Sequence, residues 1–130
     1  MEKFIVMGGK RLEGNVRISG AKNATLPIMA ASLLTGGTSV IYDVPRLKDV
    51  EVMKDLLTYL GARIQKNGSS ITIDTSKVAN RRISEDLMRR MRASNLVMGP
   101  LLSRFGCGRI SYPGACDPTL ENYIYYVITP

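Results

Sequence analysis

The sequence predicts a mixed α/β (α+β) fold. Short β-branched runs alternate with apolar stripes at helical spacing, and an Asn-Gly pair divides two strand-like segments. Glycine or proline closes most segments. At 130 residues, 45% hydrophobic and 22% charged, the chain suits one domain able to bury a core.

Taken in order, Asn15 to Ser19 reads as a short strand with Val16 and Ile18 on one face. Ala24 to Leu34 reads as a helix rich in Ala, Leu, Ile and Met, with Pro27 in its first turn and Gly36-Gly37 as its stop. Ser39 to Val44 is the second strand, closed by Pro45. Asp49 caps the next helix, in which Met53, Leu56, Leu57 and Leu60 recur at helical spacing until Gly61. Arg63 to Lys66 and Ser70 to Asp74 form a hairpin around Asn67-Gly68.

Ser84, followed by Glu85 and Asp86, opens a third helix whose stripe runs Leu87, Met91, Ser94, Met98, Leu101, Phe105, with a kink or interruption expected at Gly99-Pro100. Arg109 to Tyr112 is a further strand. Residues 15–75 thus read strand, helix, strand, helix, strand, strand, and a second copy of that unit begins at about residue 84.

A net charge of +7 is compatible with a solvated basic surface or with small anionic ligands. The dense cations Arg81-Arg82 and Arg89, Arg90, Arg92 have no aromatic residues between them, so the stacking platform of a single-strand nucleic-acid binder is missing and no nucleic-acid partner is expected. No His is present, which excludes imidazole acid–base chemistry and His metal ligands. Cys107 and Cys116 alone do not make a zinc site, so no metal is expected. No apolar run approaches the roughly 18 residues of a spanning helix. The N-terminus carries no export signature. A cytoplasmic chain with free thiols and no membrane partner is the expectation.

Three places could carry chemistry. Ser19-Gly20-Ala21-Lys22-Asn23 is a strand-to-helix corner where glycine permits a tight backbone, the helix N-terminus offers free N–H groups, and Lys22 adds a cation beside the amide of Asn23. It suits a phosphate or carboxylate, and it equally suits an ordinary turn with a surface lysine. Arg92, in Met91-Arg92-Ala93-Ser94-Asn95, is either a fork for a diphosphate or carboxylate or a solvated helix arginine. Cys116 lies in Tyr112-Pro113-Gly114-Ala115-Cys116-Asp117-Pro118, a loop composition, and is either an activatable thiol or an inert one.

The order of these features carries more than each does alone. The segments GNVRISGAKNATLPIMAASLL, VPRLKDVEVMKDLLTYLGA, MRASNLVMGPLLSRFG and YPGAC closely resemble the opening of the UDP-N-acetylglucosamine enolpyruvyl transferases (1-carboxyvinyltransferases), over residues 1–116. The shikimate-pathway relatives usually have Ser after the lysine and lack the loop cysteine. The resemblance implies a fold of repeated βαβαββ units, one complete here with part of a second. It implies transfer of the enolpyruvyl group of phosphoenolpyruvate to the 3′-hydroxyl of UDP-N-acetylglucosamine with release of phosphate, the first committed step of peptidoglycan synthesis, with no metal and no organic cofactor.

By the same resemblance Lys22 binds phosphoenolpyruvate, with Asn23 beside it on substrate, and Arg92 helps hold the substrates. Cys116 is implied as the proton donor, the residue that forms an adduct with phosphoenolpyruvate and the target of fosfomycin. The residue types fit that chemistry. A multiply charged anion is held by Lys and Arg in a water-poor site, and a thiol can protonate an enol ether carbon.

After Cys116 the resemblance stops. Where the family continues with an Arg-Pro-x-Asp run, residues 117–130 form a different tail in which Glu121 stands five beyond Cys116. The tail reads as a truncated or frame-altered end, so the isolated chain is expected to lack turnover. Asn122 to Thr129 has strand composition and is expected to pair with an exposed sheet edge, and self-association through that edge or the tail is expected. The alternative is a degenerate, non-catalytic paralogue that binds a nucleotide sugar or a partner protein.

Overall fold

A computed structural model of the chain describes residues 3–90, 92–111 and 123–127. The elements run α1 (Lys22–Ala31), a 3-10 turn (Ser32–Leu34), β1 (Thr38–Ile41), α2 (Lys48–Leu60), β2 (Arg63–Asn67) and β3 (Ser70–Asp74). There follow α3 (Glu85–Arg89), a 3-10 segment (Arg92–Val97), α4 (Met98–Phe105), β4 (Cys107–Ser111) and β5 (Tyr123–Val127). The α+β class expected from the alternating pattern is the class observed.

Strands β1, β3 and β2 form one antiparallel sheet with β3 in the centre. Thr38 stands opposite Asp74 on one side, and Arg63 stands opposite the same residue on the other. Alternation decides which face is covered. Ile71 and Ile73 on β3 are fully buried, whereas Ser70, Thr72 and Asp74 are partly exposed. Helices α1 and α2 pack on each other and supply Leu26, Met29, Val50, Met53, Leu56, Leu57 and Leu60 to the same core.

Helix α2 ends as its glycine predicts. Gly61 has φ 108, its N–H donates to the Thr58 carbonyl at 2.9 Å, and the Ala62 N–H donates to the Leu57 carbonyl at 2.9 Å. This is a Schellman closure, in which glycine carries the left-handed residue at no steric penalty. A side chain here would also press on the Lys77 carbonyl, 2.8 Å from the position of a Cβ.

Four expectations are corrected. The strand at Asn15 to Ser19 does not form: residues 3–20 hold no regular strand, and their side chains are exposed up to Ser19. Helices close their own hydrogen bonds, but a strand needs a neighbouring edge, and this segment pairs with neither edge of the sheet. Helix α1 starts at Lys22, so Pro27 is its sixth residue rather than part of its first turn. Proline has no N–H, so the Asn23 carbonyl loses its i+4 donor.

The hairpin turn is shifted by one residue. Asn67 pairs with Ser70, which leaves Gly68-Ser69 as the two-residue loop, with Gly68 at φ 59 and Ser69 not positive. A glycine-first loop fits the twist of a hairpin as well as Asn-Gly does. Finally, the third helix is interrupted, but before Gly99-Pro100 rather than at it. It departs from α geometry earlier, in the 3-10 segment, and Gly99 and Pro100 sit in the first turn of α4, where a missing N–H has no helical carbonyl to lose.

The second part of the chain is fastened to the first by Arg104 on α4. Its guanidinium donates to the carbonyl of Leu33 at 2.8 Å and to that of Thr75 at 3.1 Å, and it lies 5.2 Å from the Phe105 ring centroid. Strand β5 pairs antiparallel with β4, Cys107 opposite Val127, so the expected tail strand forms on the edge of the strand before it.

Candidate functional site

The corner between the exposed segment 3–20 and α1 is built by backbone crowding. A Cβ on Gly20 would run into the carbonyl oxygen of Asp43, so only glycine lets the corner pass this close to the loop after β1. Asp43 is itself held at φ 53, and the next N–H, of Val44, donates to the Ser69 carbonyl at 2.8 Å. The Arg17 guanidinium meets the Asp43 carboxylate at 3.1 Å. An open cleft of about 280 Å³ lies here, lined by Arg17, Ser19, Gly20, Asp43, Pro45 and Ser69 among others.

From this corner α1 begins. Ala21 is the N-cap, in extended conformation and without a side-chain cap; its carbonyl accepts from the Thr25 N–H at 3.0 Å and from the Thr25 hydroxyl at 2.9 Å. Lys22 and Asn23 are the first two helical residues, so their own N–H groups have no carbonyl within the helix. No acidic residue lies in the first turn of α1. The positive end of the helix and the Lys22 ammonium therefore add, which is the electrostatic pattern that favours an anion.

One counter-charge answers it. Lys22 Nζ donates to Asp49 Oδ2 at 3.0 Å, and both side chains are partly exposed. Asp49, expected to cap α2, is instead its second residue: the cap is Leu47, and the Asp49 carboxylate is given to α1. Nothing in the local sequence distinguishes this use of an Asp near a helix start from capping, because the partner is 27 residues away.

The 3-10 segment that begins at Arg92 packs against α1, so its backbone is brought to the helix that carries Lys22 and Asn23. The Arg92 side chain and the whole of Cys116 lie outside the described residues. Cys107, the other thiol, is exposed at the start of β4, where the Asn80 amide donates to its carbonyl at 3.0 Å.

A larger cleft of about 460 Å³ lies between α2 and α3, lined by Lys48, Glu51, Val52, Asp55 and Arg90. Its carboxylates are already matched. Glu51 accepts from Lys54 at 2.6 Å and from Lys66 at 3.3 Å, and Arg90 stands 3.9 Å from Asp55. The Lys54 hydrogen bond, helped by Lys66 and opposed by slight desolvation, holds the Glu51 carboxyl below its ordinary value of 4.5. The corner's cations are paired as well, Lys22 with Asp49 and Arg17 with Asp43; what the corner has in addition is the acid-free start of α1.

Comparison with known proteins bears on the same corner. The family model described as EPSP synthase (3-phosphoshikimate 1-carboxyvinyltransferase) matches residues 6–119. UDP-N-acetylglucosamine 1-carboxyvinyltransferases are similar to this chain: that of Desulfosudis oleivorans is 52% identical over 116 residues, and that of Dichelobacter nodosus 50% identical over 117. Each alignment takes in 89% of this chain and 28% of the relative, so the chain spans little more than a quarter of the proteins it matches. Among solved structures, the enolpyruvyl transferase NikO from Streptomyces tendae superposes with a TM-score of 0.70 at 30% identity, over 82% of this chain and 25% of that one. On the extent of the family match and the shared fold, the chain belongs to the EPSP synthase family of enolpyruvyl (1-carboxyvinyl) transferases.

Proposed function

We propose that this chain supplies one wall of an enolpyruvyl transferase site, in which the Lys22–Asn23 corner takes the phosphate or carboxylate of phosphoenolpyruvate. The observation that carries the reading is the pairing of a cation with an acid-free helix start at a glycine-tight corner. About half the residues of this chain are identical to those of UDP-N-acetylglucosamine 1-carboxyvinyltransferases, which supports the acceptor named in those proteins, the nucleotide sugar, over other hydroxyl acceptors. In this reading the reaction moves the enolpyruvyl group to the 3′-hydroxyl of UDP-N-acetylglucosamine and releases phosphate, a step of peptidoglycan synthesis in the cytoplasm.

The roles follow from residue chemistry. Lys22 and the N–H groups of α1 hold the anion as charge develops, Asn23 donates to substrate, and Arg92 adds a second cation. Cys116 serves as the weak acid that protonates the enol ether carbon and as the nucleophile open to fosfomycin. Residues 1–116 form the family portion, with a first unit over about 15–75 and part of a second over about 84–116, and residues 117–130 are a separate tail. The remaining walls lie in the part of the relatives that this chain does not span, so the isolated chain does not turn over. A phosphate-release assay with both substrates tests that statement, and turnover by the chain alone would overturn it. Calorimetric titration of phosphoenolpyruvate into wild type and Lys22→Met tests the site itself: binding is lost in the variant, and equal heats from both would remove the corner from the site.

A further inference from the structure

The lysine of the corner is not held by its own helix. It is the first residue of α1, with a flexible four-carbon stem, no side-chain cap before it and no acid in its own turn. Its one described polar partner comes from a different element, the carboxylate of Asp49 on α2, at 3.0 Å. That carboxylate stands on firmer ground. Asp49 lies in the first turn of α2, where the helix dipole favours negative charge, and it is flanked by Val50, Val52 and Met53, all buried against the core. The two helices pack on each other, Leu26 and Met29 of α1 joining Val50 and Met53 of α2 in the core, so the spacing of the two starting turns is set by apolar contacts rather than by the ion pair.

The arrangement is asymmetric: a rigidly carried acid and a loosely carried base. In water such a pair adds little to stability, because both side chains are partly solvated and a lysine ordered by it loses rotamer freedom. Its effect is on the lysine. An ammonium has three donors, and one given to Asp49 leaves two for an incoming anion while the stem is held over the corner. Ordering a long side chain before the ligand arrives removes that ordering from the binding step. A carboxylate near the anion also repels it, so the two effects oppose each other and their balance is measurable.

We infer that Asp49 is the positioning residue for Lys22, fixing its ammonium at the mouth of the corner so that both act on an anionic phosphoester. The inference rests on the proposed phosphoenolpyruvate site and adds to it a residue that does not touch the substrate. It also accounts for why α1 can begin on a lysine: the unfavourable cation at the positive end of α1 is matched across the helix pair rather than within its own turn.

The test is titration of the full chain with phosphoenolpyruvate, followed by the amide resonances of Lys22 and Asn23, in wild type, Lys22→Met, Asp49→Ala and Asp49→Glu. Thermal midpoints are recorded for all four. Loss of the response in Lys22→Met, weakening by about threefold to tenfold in Asp49→Ala, and recovery in Asp49→Glu with an unchanged midpoint is the expected result. A merely structural role would move the midpoint and would not be rescued by the longer acid. If Lys22→Met titrates like wild type, or wild type shows no response, the corner is not the site and the reading on which this rests falls. If Lys22→Met is silent but Asp49→Ala binds as well as or more tightly than wild type, or Asp49→Glu fails to recover, the site stands and the positioning role of Asp49 is overturned.

Discussion

Residues 3–20 and residues 21–78 have similar appetites for burial and opposite outcomes. In the body, Met53, Leu56, Leu57, Ile71 and Ile73 are 0% exposed. In the arm, Phe4 is 99% exposed, Met7 92% and Leu12 94%, with Ile5, Val6, Val16 and Ile18 close behind. Hydrophobicity therefore did not decide which segment folded inward; the availability of a partner did. Helices α1 and α2 bring their own hydrogen bonds and need only an apolar face opposite, which β3 provides. The arm can form ladder bonds only by joining an edge; it joins none among the described residues, and water takes up its exposed backbone instead. A run of apolar side chains this exposed is the kind of surface that associates.

The comparison can be broken most directly by a pair of truncations. Leu56→Ala in the body is expected to lower unfolding stability by about 2–5 kcal/mol, whereas Ile5→Ala in the arm changes it by less than about 0.5 kcal/mol. Denaturant unfolding by far-ultraviolet dichroism measures both. Similar losses from the two would mean that the arm is packed in solution and that the contrast is wrong.

Gly20→Ala sharpens where the arm ends. The added methyl meets the Asp43 carbonyl, so the corner must shift, and a loss of about 1–3 kcal/mol is expected if Gly20 belongs to the body. Hydrogen exchange would then rise at Val44, whose N–H bonds to Ser69, while α2 stays protected. A neutral substitution would place the boundary nearer Lys22.

The smallest effect is expected on the body's solvated rim. Glu51→Gln removes a half-exposed carboxylate shared by Lys54 and Lys66, and a loss of about 0.5 kcal/mol at pH 7 is expected, discounted for solvent screening. Because Lys54 lowers the folded carboxyl below 4.5, the stabilisation is present above that value and fades as pH falls through the folded one. The gap between wild type and variant should thus close below pH 4.5 in acid-unfolding curves. A gap that persists into strong acid would assign the effect to packing instead of charge.

Much of the body was legible in the sequence for a physical reason. Helix α2 announces itself because Met53, Leu56, Leu57 and Leu60 must share a face and Gly61 must follow, and both statements are local. The hairpin was placed within one residue, since Gly68 can take positive φ at either loop position. The strand expected at 15–19 is absent: alternation tells which face a strand would bury, not whether an edge exists for it. At the site, Lys22 and Asn23 are visible as a corner and Arg92 as a cation, and the 3-10 segment Arg92–Val97 packs on α1. Asp49 was seen but given the wrong task, because a pairing between residues 22 and 49 depends on how two helices pack, which no local spacing encodes.

The reach of Arg104 has a consequence for how the chain can be divided. Its two bonds end on Leu33, in the 3-10 turn after α1, and on Thr75, just past the end of β3, so α4 closes carbonyls that belong to the sheet-and-helix body before it. The Thr75 hydroxyl, in a fully buried residue, lies 3.1 Å from the Ser32 carbonyl and 3.0 Å from that of Gly37, its single proton shared between them, and Arg104 completes that junction from outside. The sheet with α1 and α2 is then not closed on itself as a cooperative unit. A fragment cut after residue 78 would hold every strand of its sheet and still lack its clasp.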